Sequence, residues 1–288
     1  LQINFIREVS AYRYALDSLI NPIRKYLPES TVTPKNGIKG ALNFCWFIRS
    51  EGYHPNVFMS HGIGDKNYMI GTKGHANRFD YVFVTGSAFK EKLIRHDTPA
   101  EKIFVVGWPK LDPIFNGEYQ RTPSDKIRVL YAPTHNAIQE VSSFPAFNEY
   151  LDKFPADIEV INSPHPARKD DNMPTMQPLV DADVVIADAG STIYEAWALG
   201  KPVIFPDWLV REGVLKRFKG AFEAKCYEDN LGYHANSFEH LLELIPEAIS
   251  RGLDSKVIEF TEGLFPAELR GESGKTVAEI LRRLANGF

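Results

Sequence analysis

Residues 181–207, DADVVIADAGSTIYEAWALGKPVIFPD, constrain the fold more than any other stretch of the chain. An apolar run breaks at a corner of small and polar residues, Asp188-Ala189-Gly190-Ser191-Thr192, passes into a segment of helical period, and returns to an apolar run. That order is strand, tight turn, helix, strand, the unit from which parallel sheets are built. The apolar runs are continuous rather than alternating, as strands covered on both faces require.

The same alternation runs through the chain. Strands are predicted near Ile3–Val9, Val57–Ser60, Tyr81–Thr85 and Phe104–Gly107, and a helix over Tyr12–Tyr26, where apolar residues recur at three- and four-residue steps. Pro109–Asp125 carries three prolines and no sustained period, so it reads as a linker. Beyond it lie predicted strands at Ile127–Ala132, Ile158–Asn162, Asp183–Ala187 and Pro202–Phe205, and helices at Ser191–Leu199 and Ser273–Asn286. The expected fold class is α/β, with two Rossmann-like domains, 1–117 and 126–270, whose parallel sheets face an interdomain cleft, followed by a C-terminal helix over 271–288. A length of 288 residues with 44% hydrophobic content suits two such domains.

Thirty-three basic against 37 acidic side chains leave a net charge of -4, so no chain-wide attraction to nucleic acid is expected. Cys45 and Cys226 stand far apart with no metal-ligand spacing, as expected of thiols in a reducing, cytoplasmic setting. No run approaches the roughly 18 apolar residues of a spanning helix, and the first residues lack a signal-peptide layout. A start at Leu1 rather than Met is expected of a trimmed chain.

Four predicted strands end in polar turns. After Asp183–Ala187, Gly190 permits a tight turn, and Ser191 and Thr192 open a helix whose first amides suit a phosphate; Ser191 reads equally as an ordinary N-cap. Glu195, one turn on, points toward a sugar hydroxyl of a bound nucleotide or stands as a solvated helix residue, and Asp188 caps the helix or orients substrate. In SHGIGDKNY (60–68), His61 follows a strand where it can exchange a proton near neutral pH. Gly62 and Gly64 keep the backbone close to whatever binds there, and Lys66 offers a cation to an anionic ligand. In INSPHPARKD (161–170), His165 is held between two prolines, with Arg168 and Lys169 placed to meet phosphate oxygens. YAPTHNA (131–137) puts Thr134 and His135 after a fourth strand. Together they favour an interdomain site for a phosphorylated ligand.

The ordered set His61-Gly62 with Lys66, VVGWPKLD (105–112), YAPTH (131–135), SPHP (163–166) and DADVVIADAGSTIYEAWALGKPVIFPD resembles the CDP-glycerol glycerophosphotransferase family of teichoic acid and capsule synthesis, which has the GT-B fold. The resemblance spans roughly residues 55–210. Lys110 stands where the family's Gly-x-Pro-Arg motif has arginine. The resemblance implies transfer of glycerol phosphate from a CDP-activated donor to a hydroxyl of a lipid-linked or polymer acceptor, without a metal or other cofactor. In it His61 would be the base and His165 would stabilise charge on the donor pyrophosphate, while Asp188, Ser191 and Thr192 would hold the donor. Gly107 and Pro109 of the second motif would lie in the cleft. Peripheral contact with the inner face of the membrane is also an expectation, with the basic-apolar REGVLKRFKGAF (211–222) the segment to supply it and a solvated helix or loop the plainer reading. Two further readings stand beside this one: a glycosyltransferase or UDP-sugar 2-epimerase of the same fold, for which Asp65 and Asp80 are the available carboxylates, and a GT-B domain that binds nucleotide without turnover.

Overall fold

The computed structural model describes residues 1–7, 13–48, 52–71, 75–135, 141–165 and 175–287. In the first half, β1 (Ile3–Ile6), α1 (Arg13–Arg24), β2 (Thr31–Thr33), β3 (Leu42–Cys45), β4 (Asn56–Met59), β5 (Tyr81–Val84), α2 (Ser87–Arg95) and β6 (Ile103–Val105) build a six-stranded sheet ordered β2-β1-β3-β4-β5-β6. Every pairing is parallel. Most of its strand residues are buried, including all of β1, β3 and β4, which is why these strands are continuously apolar where they are not asparagine. Val9 and Tyr12, the outer bounds of two predicted elements, lie outside the described residues.

Two strands of this sheet, β2 and β3, are not predicted from the sequence. In β3, LNFC, the apolar run is cut by Asn43, whose fully buried amide is satisfied internally. Its Nδ2 donates to the carbonyls of Ile38, Ala41 and Tyr53, and its Oδ1 accepts from Ile38 N and Asn4 Nδ2. A buried amide with complete partners costs little, so the strand forms despite its polar residue.

The predicted linker begins as folded structure instead. Pro109–Leu111 forms a 3-10 turn and α3 (Asp112–Phe115) follows, with Pro109, Leu111 and Asp112 buried. In the second half, β7 (Ile127–Tyr131), β8 (Ile158–Asn162), α4 (Met176–Asp181), β9 (Val184–Ile186), α5 (Ser191–Ala198), β10 (Val203–Pro206), α6 (Asp207–Arg217), α7 (Phe222–Glu228), β11 (Tyr233–Ala235) and α8 (Phe238–Arg251) follow. They build a parallel sheet ordered β11-β10-β9-β7-β8.

The chain then returns across the first half. α9 (Ser255–Leu264) packs on both α2 and α5, and α10 (Ser273–Asn286) packs on α1. Asp112 accepts from the amides of Ser273 and Gly274 at the start of α10, and the Leu1 ammonium donates to Ala285 O at its end, at 2.6 Å. One apolar cluster runs through both halves, holding Phe44 and Phe83 of the first together with Val185 and Ala196 of the second, and a smaller one in the second half gathers Val129, Val184, Ile204 and Leu241. The expected membrane-facing segment is part of this packing. Val214, Phe218 and Ala221 turn inward and are buried. No helix among the described residues is long and apolar enough to cross a membrane.

Candidate functional site

In the second sheet β7 lies between β8 and β9, so the chain reverses its direction of strand addition between β7 and β9. At such a switch point the turns leaving neighbouring strands part and open a crevice at their C-terminal ends. Here those turns are Ala132–His135 after β7 and Ala187–Ser191 after β9, with Ser163–His165 beside them after β8. Of the sequence-predicted donor residues, Thr134, His135, Asp188, Gly190, Ser191 and Thr192 therefore fall at one edge of one sheet.

Asp188 organises the crevice from below. It is fully buried; Oδ1 accepts from the amides of Thr134 (2.8 Å) and Ala189 (2.7 Å), and Oδ2 from the amide and hydroxyl of Ser143 (2.8 and 2.9 Å). Both oxygens are thereby committed to holding the β7 and β9 turns together. The carboxylate thereby fixes the donor turn.

Ser191 is not the N-cap. Gly190 occupies that position, and no side chain caps α5. The Ser191 hydroxyl instead accepts from Gly64 N of the first half at 3.2 Å. The first half approaches closely here: a Cβ on Gly62 would lie 2.6 Å from Ser191 Oγ, and one on Gly64 would lie 3.1 Å from Glu223 Oε1. Lys66, in a left-handed backbone conformation with φ 43°, reaches over to donate to Thr134 Oγ1 at 2.6 Å. Burial holds its ammonium below the usual lysine range, against the opposing pull of Glu223 and Asp188. The structure thus brings Gly62, Lys66, Thr134, Gly190, Ser191 and Thr192 to one place.

His61 sits at the head of the same turn. Its ring stacks on Phe47 with centroids 4.4 Å apart and meets the edge of Tyr68. Burial lowers its pKa from the usual 6.5 to about 4; a hydrogen bond with the Trp46 backbone opposes that, and the nearby Lys66 charge adds to it. The imidazole is neutral at pH 7. On the far flank the rings of His135 and His165 meet edge to face, centroids 5.2 Å apart. Arg168 and Lys169 lie outside the described residues.

Three expected cleft residues are used elsewhere. Glu195 is buried, and its carboxylate takes both Lys110 Nζ contacts at 2.8 Å and Trp108 Nε1 at 2.9 Å, so it ties the linker to α5. Gly107, with φ 79°, faces Ser273 of α10, where a Cβ would lie 2.3 Å from its hydroxyl. Pro109 is buried in the 3-10 turn beside it.

The carboxylates considered for proton transfer at carbon are also committed. Asp65 binds Lys92 and accepts from Phe222 N at 2.8 Å. Asp80 stands before β5, at the opposite edge of the first sheet, where it accepts from Asn56 N and meets His54. Sequence reading missed Glu223, which is fully buried and accepts from the amides of Asp65 and Lys66. Among the described residues no group of three or more His, Cys, Asp or Glu is arranged to hold a metal ion.

Two grooves lie elsewhere, one of about 780 Å³ between α2, α7 and α9 and one of about 240 Å³ between α1, the linker and α4. Neither is lined by His61, Thr134 or Ser191, because the two halves touch directly over the donor turn.

No family model matches the chain, and no curated protein matches it in sequence. Solved structures do match its fold. The wall teichoic acid polymerase TagF superposes with a TM-score of 0.66 at 14% identity, covering 99% of this chain and 89% of that one. Staphylococcus aureus MnaA, solved with UDP, gives a TM-score of 0.62 at 11% identity, covering 100% of this chain and 97% of that one. A Listeria monocytogenes protein described as a UDP-N-acetylglucosamine 2-epimerase gives 0.58 at 12% identity, with the same coverage. The chain has an α/β, GT-B-like fold with two parallel sheets.

Proposed function

We propose that the chain is a transferase that moves a glycerol phosphate or related polyol phosphate unit from a CDP-activated donor to a hydroxyl of a cell-wall or capsule polymer. The observation that carries this reading is the reach of the His61–Lys66 turn onto the donor side, which holds Gly64 against Ser191 at the start of α5 and the buried Lys66 ammonium against Thr134 of the β7 turn, with the neutral imidazole of His61 at the head of the same turn. Phosphoryl transfer asks mainly for positioning and charge stabilisation, and those are the groups present.

In this mechanism the Lys66–Thr134 and Gly64–Ser191 contacts open to admit the donor, whose pyrophosphate then lies between Lys66, Thr134 and the first amides of α5, with His165 beside the β7 turn. His61 takes the proton of the acceptor hydroxyl as its oxygen bonds to the polyol-bearing phosphorus. The bond from that phosphorus to the oxygen bridging to the nucleotide breaks, and CMP leaves. The proton passes from His61 to solvent. Donor charge beside Lys66 offsets the repulsion that now lowers the His61 pKa, which makes the ring a stronger base in the complex.

A UDP-sugar donor is the second reading, supported by a fold shared with MnaA, which was solved with UDP. Epimerisation at carbon needs carboxylates free to move a proton, and Asp65, Asp188, Glu195 and Glu223 are all engaged with amides, hydroxyls, indole or lysine. That commitment favours phosphate transfer over epimerisation. The test is CMP release from CDP-glycerol with a polyol phosphate acceptor. His61→Ala is expected to lower turnover about 100-fold or more while leaving donor affinity nearly unchanged; equal turnover would remove His61 as the base.

A further inference from the structure

The turn that carries His61 and Lys66 is held to the second half by a reciprocal grip. Glu223, in the first turn of α7, accepts from two consecutive amides of the first half, Asp65 N at 2.8 Å through Oε1 and Lys66 N at 2.7 Å through Oε2. Asp65 returns the contact by accepting from Phe222 N at 2.8 Å. Lys92 of α2 then joins both sides, donating to Asp65, to Asn67 Oδ1 at 2.7 Å and to Gly220 O at 3.0 Å. Asn67 closes the ring by donating to Lys219 O.

The charges and the backbone both require this arrangement. Asp65, Lys66 and Lys92 bring a net positive charge from the first half, and Glu223 supplies the matching negative one from the second. Glu223 is fully buried, so an unmatched charge there would be costly. Burial and the neighbouring Asp65 push its carboxyl up, and Lys66 with its amide pulls it back. Lys66 and Asn67 have φ of 43° and 54°, conformations that cost a side-chain-bearing residue energy unless its surroundings hold it. Two amide bonds to one rigid carboxylate supply that hold, and the resulting direction of Lys66 is what takes its Nζ to Thr134.

We infer that Glu223 is a positioning residue of the proposed transfer reaction: by gripping the amides of Asp65 and Lys66 it sets His61 and Lys66 in register with the donor turn of the other half. The inference rests on the functional reading above for its kinetic consequence, and on geometry alone for the grip. Glu223 itself reaches neither His61 nor the donor turn. Its effect is to place a base and a cation that approach the substrate from the opposite half.

The experiment pairs amide hydrogen exchange with kinetics on the full chain. Glu223→Gln keeps the volume but turns an N–H toward one of the two amides. Exchange protection is expected to fall at residues 64–68 alone, kcat for CMP release to fall about 100-fold, as for a small misplacement of a reacting group, and the KM for CDP-glycerol to change little. Glu223→Asp, which keeps the charge, is expected to recover part of both losses and provides the same measurement if the glutamine variant fails to fold. Unchanged protection at 65 and 66 would overturn the inference, as would protection falling throughout the chain with kcat and KM changing together. If wild-type protein turns over no CDP-polyol, the functional reading falls separately. The exchange result still decides the grip: local loss supports it and unchanged protection refutes it.

Discussion

Replacing Lys110 with methionine separates two roles for Glu195 that its sequence position leaves open. The carboxylate is 1% exposed and its lysine partner 16% exposed. Both oxygens lie 2.8 Å from Lys110 Nζ, and among the described residues the other hydrogen bond to the carboxylate comes from Trp108 Nε1 at 2.9 Å. Lys110→Met removes the counter-charge and leaves a buried carboxylate with one neutral donor. Breaking such a pair from one side costs about 3–5 kcal/mol. At roughly 2–4 °C per kcal/mol for a chain of this size class, the melting temperature is expected to fall by about 6–20 °C. Lys110→Met combined with Glu195→Gln removes both charges and is expected to recover most of the loss. Lys110→Arg offers a parallel pair of donors to the same carboxylate and is expected to stay within about 1 kcal/mol of wild type. Scanning calorimetry of these proteins and of Glu195→Gln alone reads the cycle, and titration with CDP reads the alternative. If Glu195 were a ribose ligand, Glu195→Gln would weaken CDP binding with little change in melting. A Lys110→Met protein melting within about 2 °C of wild type would refute the structural role, since that is less than the shift for 1 kcal/mol.

The depressed His61 pKa sets a pH window. Above 6.5 the ring is neutral in both folded and unfolded chains; as pH falls toward about 4 only the unfolded chain takes up the proton, so up to about 3 kcal/mol of stability is lost over that interval. Urea midpoints at pH 7 and 4.5 are expected to converge in His61→Gln, and an unchanged pH slope in that variant would contradict the assignment. Asp188→Ala orphans the amides of Thr134 and Ser143 and is expected to cost at least about 2 kcal/mol together with most CDP affinity, whereas lost affinity at unchanged stability would mean that Asp188 binds the donor directly. Gly62→Ala places a Cβ 2.6 Å from Ser191 Oγ, so turnover is expected to fall with CMP binding retained and to recover when Ser191→Ala is added; no recovery in the double variant would show that the two residues do not meet.

The donor corner was legible because glycine and small polar residues punctuate an apolar run at the point where a parallel strand must turn into its helix. His61, Lys66 and Thr134 were legible as residues of turns, since each follows a predicted strand, but not as partners. The contacts that join them to the other half span more than a hundred residues at Gly64–Ser191 and Asp65–Glu223, and no local period records them. The partners of Glu195 were hidden for the same reason: only the fold brings Trp108 and Lys110 against it. Glu223 carried no local mark beyond an acidic residue at a helix start. Asp80, by contrast, could have been set aside from sequence, because it precedes the predicted strand at Tyr81 and so falls at the edge away from the ligand. Strand β3 was hidden by Asn43, whose partners come from three separate segments.

The proposed function requires a diphosphate site shared between Lys66 of one half and the β7 and α5 turns of the other. Calorimetric titration of CMP, CDP, CDP-glycerol and UDP-sugars into wild-type and Lys66→Ala proteins, without added metal, tests it most directly. Binding of CDP and CDP-glycerol to wild type, weakened about tenfold or more by Lys66→Ala as expected for loss of a buried charge-assisted contact, with CMP less affected and UDP-sugars weak, is the predicted result. Diphosphate binding that Lys66→Ala leaves unchanged would contradict the shared site, and exclusive binding of uridine ligands would contradict the polyol phosphate donor.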